Sequence, residues 1–156
     1  MHAVKKLVLL LPLLLMAAVP VFSQGKLEAS FGLVTSEGLC IKLKYGNNLQ
    51  AGLSQGFYSG TAMLTGIEGY WHFAGRQQVG TQKPFYLMAG LGTTIFSKGF
   101  SVFEKTLFYP RIGRTVNFTE RLGMNLDIGP DFLRTNDDGV SSSVFPAGSI
   151  HFFFRF

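Results

Sequence analysis

FPAGSIHFFFRF, residues 145–156, closes the chain and decides its fold. Counted back from the end, every second residue is apolar or small: Phe156, Phe154, Phe152, Ile150, Gly148. The intervening positions carry the charge and the polar groups, in Arg155, His151 and Ser149. A period of two predicts a β-strand with two unlike surroundings. We therefore interpret residues 145–156 as the closing strand of a sheet with one apolar and one polar side.

This ending resembles the C-terminal signal by which the barrel-assembly machinery of bacterial outer membranes recognises its clients. In such proteins the closing strand pairs with the first strand, and its terminal aromatic residue lies in the periplasmic aromatic girdle. The resemblance implies the barrel-assembly machinery as a partner. It also implies an assembly signal formed by Ile150, Phe152, Phe154 and Phe156. On the ending alone, an edge strand of a soluble sandwich is the alternative.

The other end of the chain has the organisation of a secretory signal peptide. Lys5 and Lys6 precede an apolar run, Leu7–Val19, and small residues follow it just before Gln24. An uncleaved membrane anchor is the alternative, but the run is short for a spanning helix and is interrupted by Pro12. We predict a signal peptide at residues 1–23 and one mature domain at residues 24–156.

Composition narrows the classes of protein that the mature chain can belong to. Cys40 is the single cysteine, which excludes an intramolecular disulfide and a thiolate metal cluster. The net charge of +5 falls to +3 when Lys5 and Lys6 are removed, and no basic run suggests nucleic acid. The 19 glycines lie mostly inside alternating segments, which a helical protein would not tolerate. We predict neither a cofactor nor a metal site.

Alternation divides the mature chain into eight short strands separated by polar connections. The predicted strands are about 26–34, 39–45, 49–57, 62–73, 84–96, 106–116, 121–133 and 145–156. The sixth is the least regular, because Arg114 falls on its apolar face. Either Arg114 extends to the membrane interface, or a bulge near Pro110 shifts the register.

Alternation does not say which face of the predicted barrel is inside. In a soluble barrel of lipocalin type, the apolar face would surround a ligand. The distribution of glycine favours a membrane barrel, because a narrow interior needs small residues. The glycines on the polar face are Gly32, Gly52, Gly66, Gly90, Gly92, Gly123 and Gly129. We predict an all-β protein, an eight-stranded antiparallel transmembrane β-barrel.

This architecture resembles the small eight-stranded outer-membrane barrels of Gram-negative bacteria, of the OmpA transmembrane-domain and OmpX kind. The resemblance implies an outer-membrane location and contact with outer-membrane lipid and lipopolysaccharide. Aromatic residues at strand ends predict a periplasmic girdle. Its members would be Tyr45, Trp71, Phe73 and Phe85.

The polar face predicts ion pairs that close the interior. Glu28 on the first strand would lie between Lys44 and Arg155, because the last strand must pair with the first. If the turn after strand six is centred on Thr119, Arg111 and Asp127 lie directly opposite each other. A buried charge without its partner is costly, so we expect these five residues to form a network.

Three functions are compatible with the pattern. An eight-stranded barrel is just filled by its own side chains, which favours a structural or loop-mediated interaction protein with an unknown loop ligand. A narrow or gated pore for ions or small solutes is the alternative. A lipid A-modifying enzyme is the third. The deacylases of this class have a His-x-Ser-Asn pattern, which this sequence does not resemble. Neither His72 nor His151 has a serine two residues on, and we predict no catalytic residue.

Overall fold

The computed structural model describes residues 26–36, 38–58, 62–76, 79–98, 101–137 and 139–156. The predicted signal peptide, residues 1–23, lies outside these ranges. Within them, no helix is long and apolar enough to cross a membrane.

Eight antiparallel strands form one closed barrel in which each strand pairs with its neighbours in sequence and the last pairs with the first. The strands are β1 Lys26–Val34, β2 Gly38–Gly46, β3 Leu49–Tyr58, β4 Ala62–Ala74, β5 Phe85–Lys98, β6 Ser101–Asn117, β7 Leu122–Asp137 and β8 Gly139–Arg155. Both ends of the barrel chain therefore lie at one rim, the terminal rim, and we call the opposite rim the far rim.

The strands are tilted, and the tilt follows from the pairing registers. A row of directly paired residues starts at Phe152 and returns to β8 at Ser142, ten residues away. With about 3.3 Å per residue and about 4.8 Å between strands, this shear tilts the strands by about 40°. The tilt and the strand number define a narrow barrel whose interior is just filled by side chains.

The apolar face of the sheet points outward. Phe31, Ile67 and Ile128 are each more than 60% exposed, whereas Glu28 and Asp131 on the other face are at most 1% exposed. A lipocalin-type barrel would have the opposite arrangement. The structure therefore confirms the all-β fold and the inside–outside assignment of the predicted membrane barrel.

Strands β6 to β8 are longer than predicted. The predicted loops at 97–105 and 134–144 are mostly strand, because β5 pairs with β6 as far as Lys98 and Ser101, and β7 with β8 as far as Asp137 and Gly139. β1 ends at Val34, which pairs with Ser149. β5 to β8 therefore rise above β1 to β4 as a wall on one side of the far rim.

The predicted register between β6 and β7 is wrong. Asp127 lies opposite Gly113 and not opposite Arg111. The Thr119 Oγ1 atom accepts hydrogen bonds from the backbone N–H groups of Arg121 and Leu122 at 3.2 and 2.9 Å. These bonds lengthen the turn and centre it one residue later than Thr119. Pro110 causes no shift against β5, and Arg114 points outward, as the first of the two alternatives required.

Candidate functional site

The interior of the barrel is the candidate functional site. At its base lies a cluster of Glu28, Lys44, Arg155 and Asn125, which we call the basal cluster. The register places Glu28 directly opposite both Lys44 and Arg155. Its carboxylate oxygens lie 2.5 Å from Lys44 Nζ and 2.9 Å from Arg155 Nε. The Asn125 amide donates a further hydrogen bond to Glu28 Oε1 at 3.0 Å. The structure thus brings together the three charges that were expected to meet where the first and last strands join.

A second cluster lies in the middle of the barrel, around Glu68. Lys42 Nζ is 2.8 Å from Glu68 Oε1, and the hydroxyls of Tyr70 and Tyr109 donate hydrogen bonds to the same carboxylate. Lys42 and Glu68 are on β2 and β4, so their side chains must pass over β3. The inward residues of β3 along this path are small, Gly52 and Ser54. The small size of Gly52 and Ser54 could have indicated the Lys42–Glu68 pair from the sequence. The expected ion pairs did not include it.

A third cluster holds Arg111 with two carboxylates. Arg111 Nη1 lies 3.3 Å from Asp127 Oδ1, so these two residues meet diagonally and not face to face. Arg111 Nη2 makes the closer contacts, at 2.9 and 3.1 Å to the two oxygens of Asp131. Asp131 was missing from the expected pairs because the predicted register placed Asp127 opposite Arg111. The Tyr86 hydroxyl donates to Asp127 Oδ2 at 3.0 Å.

Glycines provide the room for the tyrosines of this interior. A Cβ atom added at Gly90 would lie 2.2 Å from the Tyr109 ring, and one at Gly113 would lie 2.3 Å from the Tyr86 ring. Each ring therefore rests on the backbone of the neighbouring strand. Any larger residue at Gly90 or Gly113 would displace a ring from the barrel centre.

The charges of the three clusters taken together are balanced. Four acids and four bases are buried there: Glu28, Glu68, Asp127, Asp131, Lys42, Lys44, Arg111 and Arg155. A partly apolar layer of Leu64, Tyr70, Tyr86, Met88, Leu107 and Tyr109 packs with them. Among the described residues, the lumen is thus occupied by side chains at successive levels.

The terminal rim is closed by the connection between β4 and β5. Gln82 in this connection is only 5% exposed. Its amide nitrogen contacts His72 Nε2 at 3.0 Å and donates to the Asn47 carbonyl at 2.9 Å, and its oxygen accepts from Arg155 Nη2 at 2.5 Å. Asn117 binds the Val79 carbonyl of the same connection at 2.8 Å. The connection therefore folds under the barrel and joins the basal cluster to the rim.

The two histidines of the barrel have different surroundings. His72 Nδ1 lies 2.8 Å from the Lys83 carbonyl, and Nε2 lies 3.1 Å from Gln50 Oε1. His151 lies opposite Gly32 and is 2% exposed, and neither of its ring nitrogens has a hydrogen-bond partner among the described groups. In the described part of the chain, no group of three or more His, Cys, Asp or Glu side chains could hold a metal ion.

The outward aromatic residues form a belt near the terminal rim. From the registers and standard strand spacings, Tyr45, Trp71 and Phe85 lie within about 2 Å of one height along the barrel axis. Phe73 lies at a β-bulge next to them, with its ring centroid 5.5 Å from that of Trp71. These positions suit the predicted girdle.

The outward face of the closing strand is also aromatic. The Phe154 and Phe156 rings pack edge to face at 4.9 Å, and the Phe152 ring lies 6.1 Å from that of Phe31 on β1. Ile150 pairs with Leu33 farther along the same seam. The role of these residues as an assembly signal remains a prediction.

Comparisons with known proteins identify the fold. No protein-family model matches the chain, and no curated protein matches it. Among solved structures, it is similar to the N-terminal β-barrel domain of Pseudomonas aeruginosa OprF, with a TM-score of 0.54 and 18% sequence identity. The match covers 83% of this chain and 96% of that domain. The chain therefore has the fold of a small eight-stranded outer-membrane barrel.

Proposed function

We propose that this chain is a non-conducting barrel of the bacterial outer membrane, with a structural or interaction role. The observation that carries the proposal is the interior, in which four buried acids are paired with four buried bases. Outward exposure of the apolar face and the fold shared with OprF support the membrane location. We place the terminal rim on the periplasmic side of the membrane, because the short turns of such barrels face the periplasm.

Planar-bilayer recording tests the closed interior. We expect no conductance steps from the reconstituted wild-type chain, because the charged clusters and the tyrosine layer fill the lumen. Replacing both Tyr86 and Tyr109 with alanine removes the two tyrosine rings that rest on Gly113 and Gly90, and conductance of this variant would show that the assay detects a partly opened lumen. Steady ion conductance through the wild-type barrel would overturn the proposal in favour of a narrow pore.

The wall formed by β5 to β8 is the proposed interaction surface. It carries polar and charged residues beyond the apolar band, among them Lys105, Arg134 and Ser142. Binding residues often lie on exposed segments that a rigid scaffold positions. Replacing residues 134–142 with a short turn should preserve the folded barrel and its amount in the membrane. It should also reproduce the phenotype of the full deletion. If the shortened chain behaves as the wild type, the role is purely structural.

A role without catalysis is part of the proposal. Both nitrogens of His72 are engaged by Lys83, Gln50 and Gln82, and no serine lies within hydrogen-bond distance of them in the described residues. The ring nitrogens of His151 have no hydrogen-bond partner there either. A nucleophile activated by histidine requires such a contact. The mass of lipid A should therefore be the same in cells with and without this protein, and a shift would indicate a lipid-modifying enzyme.

A further inference from the structure

Arg114 departs from the rule that the outward face is apolar. It is exposed on β6, next to Ile112, and its guanidinium carbon lies 5.4 Å from the centroid of the Phe85 ring. An arginine that faces lipid destabilises a barrel by about 2–4 kcal/mol at mid-membrane and by less near the interface. A specific partner in the membrane would offset this cost, and the phosphate of a lipid is the partner that a guanidinium binds best.

A shallow apolar groove of about 810 Å³ begins at mid-height and leads to Arg114. Its floor includes Gly148, where the missing side chain leaves the sheet uncovered. The apolar side chains around it are Leu33, Ile112, Leu126, Ile128 and Ile150. Leu33, Ile150, Leu126, Arg114 and Phe85 are directly paired across five strands, so the groove follows one continuous row down to the aromatic belt.

The dimensions of the groove suit one leaflet of a membrane. The registers place Gly148 about 11 Å above Arg114 along the barrel axis, against about 15 Å for half of a hydrocarbon core. A phospholipid phosphate near the belt would lie beside Arg114 while an acyl chain covers Gly148. We propose that this groove binds one phospholipid of the leaflet at the terminal rim. The inference rests on the proposed membrane location.

The test measures the phospholipid that remains bound to the full mature barrel. The chain is reconstituted in palmitoyl-oleoyl phosphatidylethanolamine, extracted in mild detergent and weighed by native mass spectrometry. We expect one retained phospholipid per barrel. Arg114→Gln and Gly148→Leu should each reduce retention by about tenfold or more, because they remove the phosphate contact and fill the groove. A diacylglycerol with the same chains, which has no phosphate, should not be retained.

Two controls isolate the groove. Gly69→Leu adds the same side chain on the outward face, where an added Cβ meets nothing within 4 Å, and Arg121→Gln removes an exposed charge from a turn. Both should retain the lipid. Loss of retention in either control, equal retention of diacylglycerol, or wild-type protein without bound lipid would overturn the inference.

A heat-shift gel on every sample separates failure of the inference from failure of the proposed function. A wild-type chain that does not form a folded, heat-modifiable barrel in the bilayer would refute the membrane role itself. A folded wild-type barrel without bound lipid would refute only the lipid site. The Gly148→Leu side chain must move its neighbour slightly, since a Cβ there meets the Asp127 carbonyl at 3.2 Å. Arg114→Gln, which demands no such movement, therefore decides the outcome if Gly148→Leu does not fold.

Discussion

The partner of Arg111 in the barrel interior can be identified by double-mutant cycles. Nη2 contacts both oxygens of Asp131 at 2.9 and 3.1 Å, whereas Nη1 reaches a single oxygen of Asp127 at 3.3 Å. All three side chains are at most 2% exposed. Removing one member of a buried pair leaves the other charge without compensation, which typically costs about 3–5 kcal/mol. We expect Asp131→Asn to fall at the lower end of that range and Asp127→Asn to cost about half as much.

The cycles combine each of these variants with Arg111→Met, which keeps much of the side-chain volume. The coupling energy of Arg111 with Asp131 should be about 2 kcal/mol, and that with Asp127 about 1 kcal/mol or less. Urea unfolding in liposomes measures both, and fluorescence of Trp71, the single tryptophan, reports the loss of the lipid-facing surface. The dependence of the unfolding free energy on urea should stay constant across the series. Equal couplings, or a larger coupling to Asp127, would refute the structural assignment, and couplings near zero would indicate a hydrated lumen.

Four further predictions test the outward face, the closing strand and the interior. Leu91→Arg, at an outward position that is 51% exposed, should lower the free energy of unfolding in a bilayer by about 2–4 kcal/mol, and a neutral result in urea titration would mean that the faces are reversed. Gly92→Arg should prevent folding altogether on a heat-shift gel, because even a Cβ there comes within 2.9 Å of a Leu64 methyl; a heat-modifiable variant would show that the interior has spare room. Deleting Phe156 should lower outer-membrane levels and leave protein in the periplasm on fractionation, and normal levels would argue against the assembly signal. His151→Leu should raise the unfolding free energy by about 1 kcal/mol, since it removes two buried nitrogens without partners, and a loss of stability would reveal bonds to water or ions there.

The basal cluster was predictable from sequence because it depends only on closure and alternation. In a closed barrel the last strand pairs with the first, so the inward charges nearest the two ends must approach each other. Glu28 and Arg155 satisfy that condition whatever the exact turn lengths are. The strand pattern predicted that the two residues approach each other, and the β1–β8 register of the structure places them directly opposite, 2.9 Å apart.

The Arg111 cluster was only partly predictable because it depends on the register across one turn. The Thr119 hydroxyl captures two backbone N–H groups and moves the centre of the turn by one residue. That change moves Asp127 away from the position opposite Arg111 and brings Asp131 into reach. Hydrophobic alternation does not encode a turn centre that depends on the hydrogen bonds of one side chain.

The height of the wall was not predictable for a different reason. Alternation arises where one face of a strand meets lipid and the other meets the interior. Above the barrel both faces meet water, so Ser141, Ser142 and Ser143 read as a loop although each is paired with β7. The sequence pattern disappears at the proposed membrane boundary while the hydrogen-bonded ladder continues.

The position of Glu28 between the first and last strands has a consequence for the order of folding. Lys44 is joined to Glu28 by a single hairpin and is available early, whereas Arg155 is 127 residues away in sequence. Closing a chain segment of that length costs about 4 kcal/mol in entropy beyond a constant term. Every neighbouring hairpin can form while the ring is still open, but the second cation reaches Glu28 only when all eight strands are present. We therefore expect ring closure to be the cooperative step of folding, because an incomplete chain keeps its hairpin contacts and lacks those between β1 and β8, among them Glu28 with Arg155.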